Sequence, residues 1–267
     1  MSRISLEDLA EIEAGFASED IVDDATTTGI AWHSASRTHV GRVRHINEDA
    51  FLDAPERRLW VVADGMGGLN RGDFASKAVV REFGNFTRGH TVADCLRDIE
   101  ARMAAVNDTC RTAFRGKRSG STVAAMLVFG DHAFFLWAGD SRIYRWRGHT
   151  VEQVTEDHTV AQEKHARGEL TPEERDTHAS VNVLTRAVGA HRQLKLDVCY
   201  HRVEPGDRYL LCSDGLYRHM ALPEVASLLH RGTPLQVAEN LIDLALDRGG
   251  HDNITAIVVE AGDSQAG

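Results

Sequence analysis

Acidic residues recur in five short segments, most of them where a predicted strand ends or a tight turn begins. They are Asn47-Glu48-Asp49, Asp64-Gly65-Met66-Gly67-Gly68, Gly139-Asp140-Ser141-Arg142, Ser213-Asp214-Gly215 and Gly250-His251-Asp252-Asn253, the last just ahead of the final predicted strand. A single Asp-Gly pair is most simply a turn. The set carries more weight, because strands aligned in sheets bring their ends together and let such carboxylates converge. Ionised carboxylates crowded into a small volume repel, which raises their pKa values and lowers stability. Divalent cations remove that penalty. Hard ions such as Mg²⁺ or Mn²⁺ favour carboxylate, carbonyl and water oxygens, which these segments supply. Gly65 has no Cβ, so its carbonyl can approach an ion closely. His and Cys are absent from most of these positions, which argues against zinc. A pair of hard ions, spaced about 3.5–4 Å apart in such sites, suits phosphate-ester hydrolysis by an activated water. Arg44, just before the first segment, offers a planar guanidinium to a phosphate dianion.

The 267 residues are 42% hydrophobic and 26% charged, as in an ordinary water-soluble globular chain long enough for a substantial core. A formal charge of -10 argues against a general affinity for nucleic acid or anionic membrane surfaces. It also requires a local reversal of sign wherever an anionic substrate binds, and bound cations provide one. Cys95, Cys110, Cys199 and Cys212 are scattered without a C-x-x-C pair, so they are expected as reduced, buried thiols. The N-terminus carries no basic-then-apolar signal and no apolar run reaches spanning length, so no membrane insertion is expected and the cytoplasm is the default.

The elements that must position the carboxylates follow from periodicity. Residues 1–28 are acidic with little apolar pattern and are expected as a flexible tail with at most one marginal helix. Leu59–Ala63 predicts a buried strand opening into the Asp64-Gly65 loop. Phe74–Phe86 and the threes-and-fours spacing of Leu96, Ile99, Met103, Val106, Cys110 and Phe114 predict two helices. Thr122–Phe129, Ala133–Ala138 and Arg142–Trp146 predict strands with short, antiparallel-type connections. Residues 159–190 are polar and contain Pro172, so they form a helical excursion. Leu194–His201, Arg208–Ser213 and Ile254–Glu260 complete the strands. Pro223–His230 and Pro234–Arg248 complete the helices, the second closed by Gly249-Gly250. Two blocks of helices with antiparallel strands between and around them make an α+β fold.

Together with Arg44-His45-Ile46 and Ala63, these segments resemble the metal-dependent protein phosphatases of type 2C, in the bacterial serine/threonine form. Thr155-Glu156-Asp157-His158-Thr159, Leu170-Thr171-Pro172-Glu173-Glu174 and Leu184-Thr185-Arg186-Ala187-Val188-Gly189 resemble that class too. The likeness covers roughly residues 30–261, and ordered motifs of this kind are specific together though weak singly.

The resemblance implies a four-layer α-β-β-α sandwich with a phosphatase domain at 29–262, a flap at about 160–188 and a C-terminal tail at 263–267. It implies a protein serine/threonine phosphatase that uses two Mn²⁺ or Mg²⁺ ions and a metal-activated water, with a third, weaker ion. In it Asp64 bridges the two ions, the Gly65 carbonyl and Asp49 serve the second, and Glu48 contributes through water. Asp214 and Asp252 complete the first, Asp140 with Asp214 takes the third, and Arg44 clamps the phosphate. The implied partner is a phosphoserine or phosphothreonine protein, opposing a bacterial Ser/Thr kinase, with the phosphatase a monomer. Asp49-Ala50-Phe51-Leu52-Asp53-Ala54-Pro55-Glu56-Arg57 and Leu136-Trp137-Ala138-Gly139-Asp140 resemble phosphatases encoded with type VI secretion systems, which oppose a membrane threonine kinase.

Two positions depart from the family pattern: Leu69 stands where His is usual and Asp73 where Glu is common. Neither is a proposed ligand. Leu69 motivates the alternative reading, a catalytically silent module of the same fold that binds phosphoproteins. A phosphatase resetting an anti-sigma pathway is a second alternative. The simpler readings hold elsewhere. Of His158, His165, His178 and His251, only His158, within Asp157-His158-Thr159, and His251, beside Asp252, are worth following as ligands or proton donors. Ser141 lacks a nucleophile elbow, and Gly65–Gly68 lacks the Lys-Ser/Thr of a nucleotide loop. Arg111, Arg115, Lys117 and Arg118 are expected as a solvated helix end.

Overall fold

The computed structural model describes residues 2–5, 29–67, 71–89, 91–114 and 119–263. Its strands are β1 (Ser2–Ser5), β2 (Ile30–His39), β3 (Asp49–Ala54), β4 (Leu59–Met66), β5 (Gly120–Ser121), β6 (Val123–Phe129), β7 (His132–Ala138), β8 (Arg142–Arg147), β9 (Thr150–Gln153), β10 (Asp197–Arg202), β11 (Arg208–Cys212) and β12 (Ile254–Asp263). They form two antiparallel sheets. One has the order β1-β10-β7-β6-β4-β3, with β5 paired to β4; the other is β2-β12-β11-β8-β9. The helices are α1 (Arg71–Gly84), α2 (Val92–Thr112), α3 (Val160–Ala166), α4 (Pro172–Thr177), α5 (Asp214–Tyr217), α6 (Leu222–Leu229) and α7 (Pro234–Asp247).

The layering can be read off single strands. Along β4, Leu59, Val61 and Ala63 face a core shared with α1 and α2, while Trp60 and Val62 face the core between the sheets. The same alternation sends Phe134 and Leu136 of β7 one way and Phe135 and Trp137 the other. A strand covered on both faces has no polar side to show, which is why these segments read as continuous apolar runs. A third core joins Leu210 and Cys212 of β11, Ala256 and Val258 of β12, and Leu229, Val237 and Leu241 of α6 and α7. Helices therefore cover each outer sheet face, the four-layer α-β-β-α order expected of this α+β chain. Burying each large apolar side chain contributes roughly 1.5–3 kcal/mol.

Local signals bound the helices, and the last one stops at the glycine pair predicted to close it. Thr91 caps α2 by accepting from the Asp94 backbone N–H. Thr233 and Gln236 form a capping box ahead of α7, which stops before the positive-φ pair Gly249 and Gly250. Thr171-Pro172-Glu173-Glu174 is a capping box too, and starts α4. All four cysteines are free and buried, as expected.

Two parts differ from the sequence reading. Residues 1–28 were expected outside the main domain, yet Ser2–Ser5 add antiparallel to the edge strand β10, whose open backbone groups accept any extended segment. The rest of that tail, Leu69, Arg115–Arg118 and residues 264–267 lie outside the described residues. The final strand also runs on to Asp263, pairing with Ile30.

Candidate metal centre

The predicted site residues come from both sheets and meet at one end of the sandwich. Asp49 opens β3, and the β3–β4 register sets it directly opposite Asp64. Like charges facing each other across a ladder are destabilising. Asp64 is fixed through its backbone, with its N–H donating to Thr122 Oγ1 at 2.9 Å and its carbonyl accepting from Thr122 N at 2.9 Å. Asp214 begins α5 directly after β11, Asp252 precedes β12, and Asp140 lies in the β7–β8 turn. Glu48 turns towards α1, accepting the Gly72 N–H on its Oε1 at 3.0 Å, while its backbone carbonyl receives Gly65 N at 3.1 Å.

The glycines of the two Asp-Gly pairs serve close packing rather than a turn. A Cβ on Gly65 would lie 2.3 Å from the Gly72 carbonyl oxygen, and one on Gly215 would lie 2.0 Å from that of Asn253. Each pair thus lets one backbone press against another, drawing the neighbouring aspartates towards the same end.

Asp49 is the most informative of the carboxylates. It is 7% exposed, and its Oδ2 accepts from Ser213 Oγ at 2.8 Å and Thr255 Oγ1 at 2.6 Å, both from the opposite sheet. Its Oδ1 is buried without any hydrogen-bond partner. Burial pushes its carboxyl up to about 7 against those two hydroxyl bonds, with the charges of Asp214 and Asp252 adding. Burial, then the charges of Asp49, Asp214, Asp140 and Asp252, holds Asp64 well above the usual carboxylate range. Asp140 is also raised to about 7, by burial first and then by Asp214 and Asp157. An orphaned buried oxygen within a set of mutually repelling carboxylates is the donor set a hard cation satisfies.

The carboxylates share a field without closing into a cage. Among the described residues no three His, Cys, Asp or Glu side chains form a ready-made metal group. Guanidinium groups hold the outer ones instead. Arg44 Nη2 donates to Asp252 Oδ2 at 2.8 Å, and that bond, more than the neighbouring charge, raises the arginine's already high pKa. Arg218 donates to both Asp214 and Asp140. The residues present fit the ions, and the arginines offset part of the carboxylate repulsion.

The profile of the family described as Protein phosphatase 2C matches residues 36–243. The chain belongs to the protein phosphatase 2C family. It is 32% identical over 247 residues to the serine/threonine phosphatase stp of Listeria monocytogenes, a match covering 88% of this chain and 98% of the relative. Among solved structures it resembles PppA of Pseudomonas aeruginosa, described as a key regulatory component of T6SS, with TM-score 0.80 and 42% identity over 86% of this chain and 97% of that one. It also resembles the catalytic domain of PstP in complex with two manganese ions, with TM-score 0.78 and 31% identity over 88% and 100% of the two chains. This 2C-family member is a metal-dependent protein serine/threonine phosphatase.

Several residues that shape this 2C site had no role assigned from sequence. Ser213 and Thr255 hold Asp49 across the sheet seam. Asn253 ties the Arg44 loop together, accepting from Glu48 N at 2.8 Å and donating to the carbonyls of Val40 and Ile46, each at 2.9 Å. Arg218 had a readable signal, its i,i+4 spacing from Asp214. His158, one of the two histidines worth following, is buried; its Nδ1 accepts from Gly139 N at 3.2 Å, which steadies the turn carrying Asp140. The other, His251, lies with its ring centroid 5.8 Å from that of His219. Asp73 pairs with Lys77 at 2.7 Å.

Proposed function

We propose that this phosphatase holds two divalent ions on Asp49, Asp64, the Gly65 carbonyl, Asp214 and Asp252, with Glu48 contributing through water. The observation that carries the reading is the facing pair Asp49–Asp64 with the unpartnered Asp49 Oδ1. When bound, such ions would supply polarisation of the phosphate ester and acidification of a water, and the similar PstP catalytic domain is in complex with two manganese ions. The chain's own part is positional. Ser213 and Thr255 occupy one oxygen of Asp49 and leave the other for coordination. Arg44, half exposed and paired with Asp252, is placed to exchange that carboxylate for the substrate phosphate. Asp140 with Asp214 is the acidic pair that the family resemblance gives to a third ion. Residues 160–188, carrying α3 and α4, act as the flap beside the cleft.

The substrate is a protein bearing phosphothreonine or phosphoserine. The 42% identity to PppA supports a partner in the threonine-kinase pathway of a type VI secretion system. Among the described residues no helix is long and apolar enough to cross a membrane, and a cytoplasmic site of action belongs to the same proposal.

The test is hydrolysis of p-nitrophenyl phosphate and a phosphothreonine peptide with Mn²⁺, with Mg²⁺ and with EDTA, alongside Asp214→Asn. Turnover that needs the metal and disappears in the variant is expected. Metal binding by calorimetry without turnover on either substrate would instead establish a silent phosphoprotein-binding module. A kinase-pathway partner whose phosphothreonine level does not rise when the phosphatase gene is deleted would remove the secretion-system assignment.

A further inference from the structure

Arg218 bonds to three separate chain segments. Its Nε donates to Asp214 Oδ2 at 2.9 Å, its Nη2 donates to Asp140 Oδ2 at 3.2 Å, and its Nη1 donates to Asn182 Oδ1. Asp214 and Arg218 bracket α5, so their i,i+4 spacing stacks the cation over its own carboxylate. Asp140 arrives from the β7–β8 turn, and Asn182 from the 160–188 segment. The three charged side chains are well covered, at 26% exposure for Arg218, 20% for Asp214 and 7% for Asp140. Water screens such a pair poorly, so the contact is stronger than a surface ion pair, and deleting the arginine would leave Asp140 buried without a counter-charge.

The shared carboxylate sets the logic. A guanidinium bonded to both Asp140 and Asp214 occupies the volume a cation would need to bridge them, and it repels any cation brought there. Its fork still leaves other lone pairs of Asp214 free, so that residue can serve elsewhere at the same time. The third arm reaches outward to the flap, where Val160 N donates to Val183 O at 2.9 Å and Thr185 N to His158 O at 2.8 Å, so Asn182 sits in a short, anchored stretch.

We propose that Arg218 is a built-in cation of this phosphatase. It fills the place between Asp140 and Asp214, so the chain binds two divalent ions and not three, and through Asn182 it latches the 160–188 segment to the cleft. The inference rests on the two-ion reading above and adds a positioning residue to it.

The test counts Mn²⁺ bound per full-length chain, by calorimetry and by electron paramagnetic resonance, in wild type, Arg218→Ala, Arg218→Lys and Arg218→Ala/Asp140→Asn. Two ions are expected for wild type, three for Arg218→Ala with the added one weaker, and two again for the lysine and double variants. Two ions in Arg218→Ala, or three in wild type, overturns the inference and leaves the two-ion reading standing. Fewer than two in wild type overturns that reading and the inference with it. Where Arg218→Ala does not fold, Asp140→Asn alone decides: an unchanged count supports the inference and a lower one overturns it. For the latch, amide exchange over residues 178–188 is expected to quicken by about tenfold in Asn182→Ala, the size of a lost charge-assisted bond. Unchanged exchange would sink that part.

Discussion

Removing one charge from the metal-free centre should stabilise the protein, and the amount can be worked out at Asp49. Its carboxyl rises from an ordinary 3.8 to about 7 on folding. At 1.36 kcal/mol per unit, that shift corresponds to about 4 kcal/mol of destabilisation when the group is ionised. The sign follows from linkage. The folded value lies above the unfolded one, so between about pH 4 and pH 7 the folded chain binds more protons than the unfolded chain. Stability from this group is therefore intact below that window and lost as pH rises through it. Asp49→Asn keeps an acceptor for Ser213 and Thr255 but abolishes the charge, while its amide must find a partner where Oδ1 has none. A net gain of about 1–3 kcal/mol at pH 8 in EDTA is expected. Urea denaturation of both proteins at pH 5 and pH 8 measures it, and the variant's advantage should be smaller by about 2.5 kcal/mol at pH 5, where the folded group is protonated and the unfolded one largely ionised. Saturating Mn²⁺ should reverse the order, since an ion at a hundred times its dissociation constant adds about 2.7 kcal/mol to the wild type. A variant less stable than wild type at pH 8 without metal, or a gap equal at both pH values, would refute the claim that repulsion at Asp49 is what the ions relieve.

Three further outcomes follow from the same geometry. Arg44→Ala should lower kcat/KM on a phosphothreonine peptide by about a hundredfold, the loss of one charge-assisted phosphate contact, with Mn²⁺ affinity changed far less; steady-state kinetics and calorimetry separate the two. Gly215→Ala places a Cβ 2.0 Å from the Asn253 carbonyl, so it should cost about 1–3 kcal/mol and weaken metal binding by forcing the Asp214 and Asp252 segments apart, visible in melting curves with and without Mn²⁺. The four thiols should stay silent to a disulfide reagent in the native state at neutral pH and all react on unfolding; all are buried, and burial pushes Cys110 up to about 11 and Cys212 higher still.

The fold was legible where a residue's neighbours in sequence decide its state. The α2 stripe from Leu96 to Cys110 and the apolar runs of β4, β6 and β7 follow from periodicity alone. The short pieces were not legible: β9 and α5 are too brief to show a period, and β1 exists only because β10 presents an open edge. At the site the carboxylates were legible because acidic residues recurred at strand ends. Ser213 and Thr255 were not, since a hydroxyl reads the same whether it faces solvent or holds Asp49, and only the docking of the two sheets decides which. Glu48 shows the converse. The family resemblance implied a water-mediated ligand, and the fold also gives its side chain the N–H of Gly72 at the start of α1.

The seam at Asp49 bears on how the chain reaches and leaves its native state. Asp49 meets Ser213 and Thr255 across 164 and 206 positions of chain. A centre assembled from such distant parts does not exist until both sheets have formed and docked, and closing contacts of that span comes late in folding. Ions then have nothing to bind in the partly folded chain, so they leave the rate of folding alone and slow unfolding. Manganese or magnesium supply would thus set how long each folded molecule lasts, not how many molecules fold.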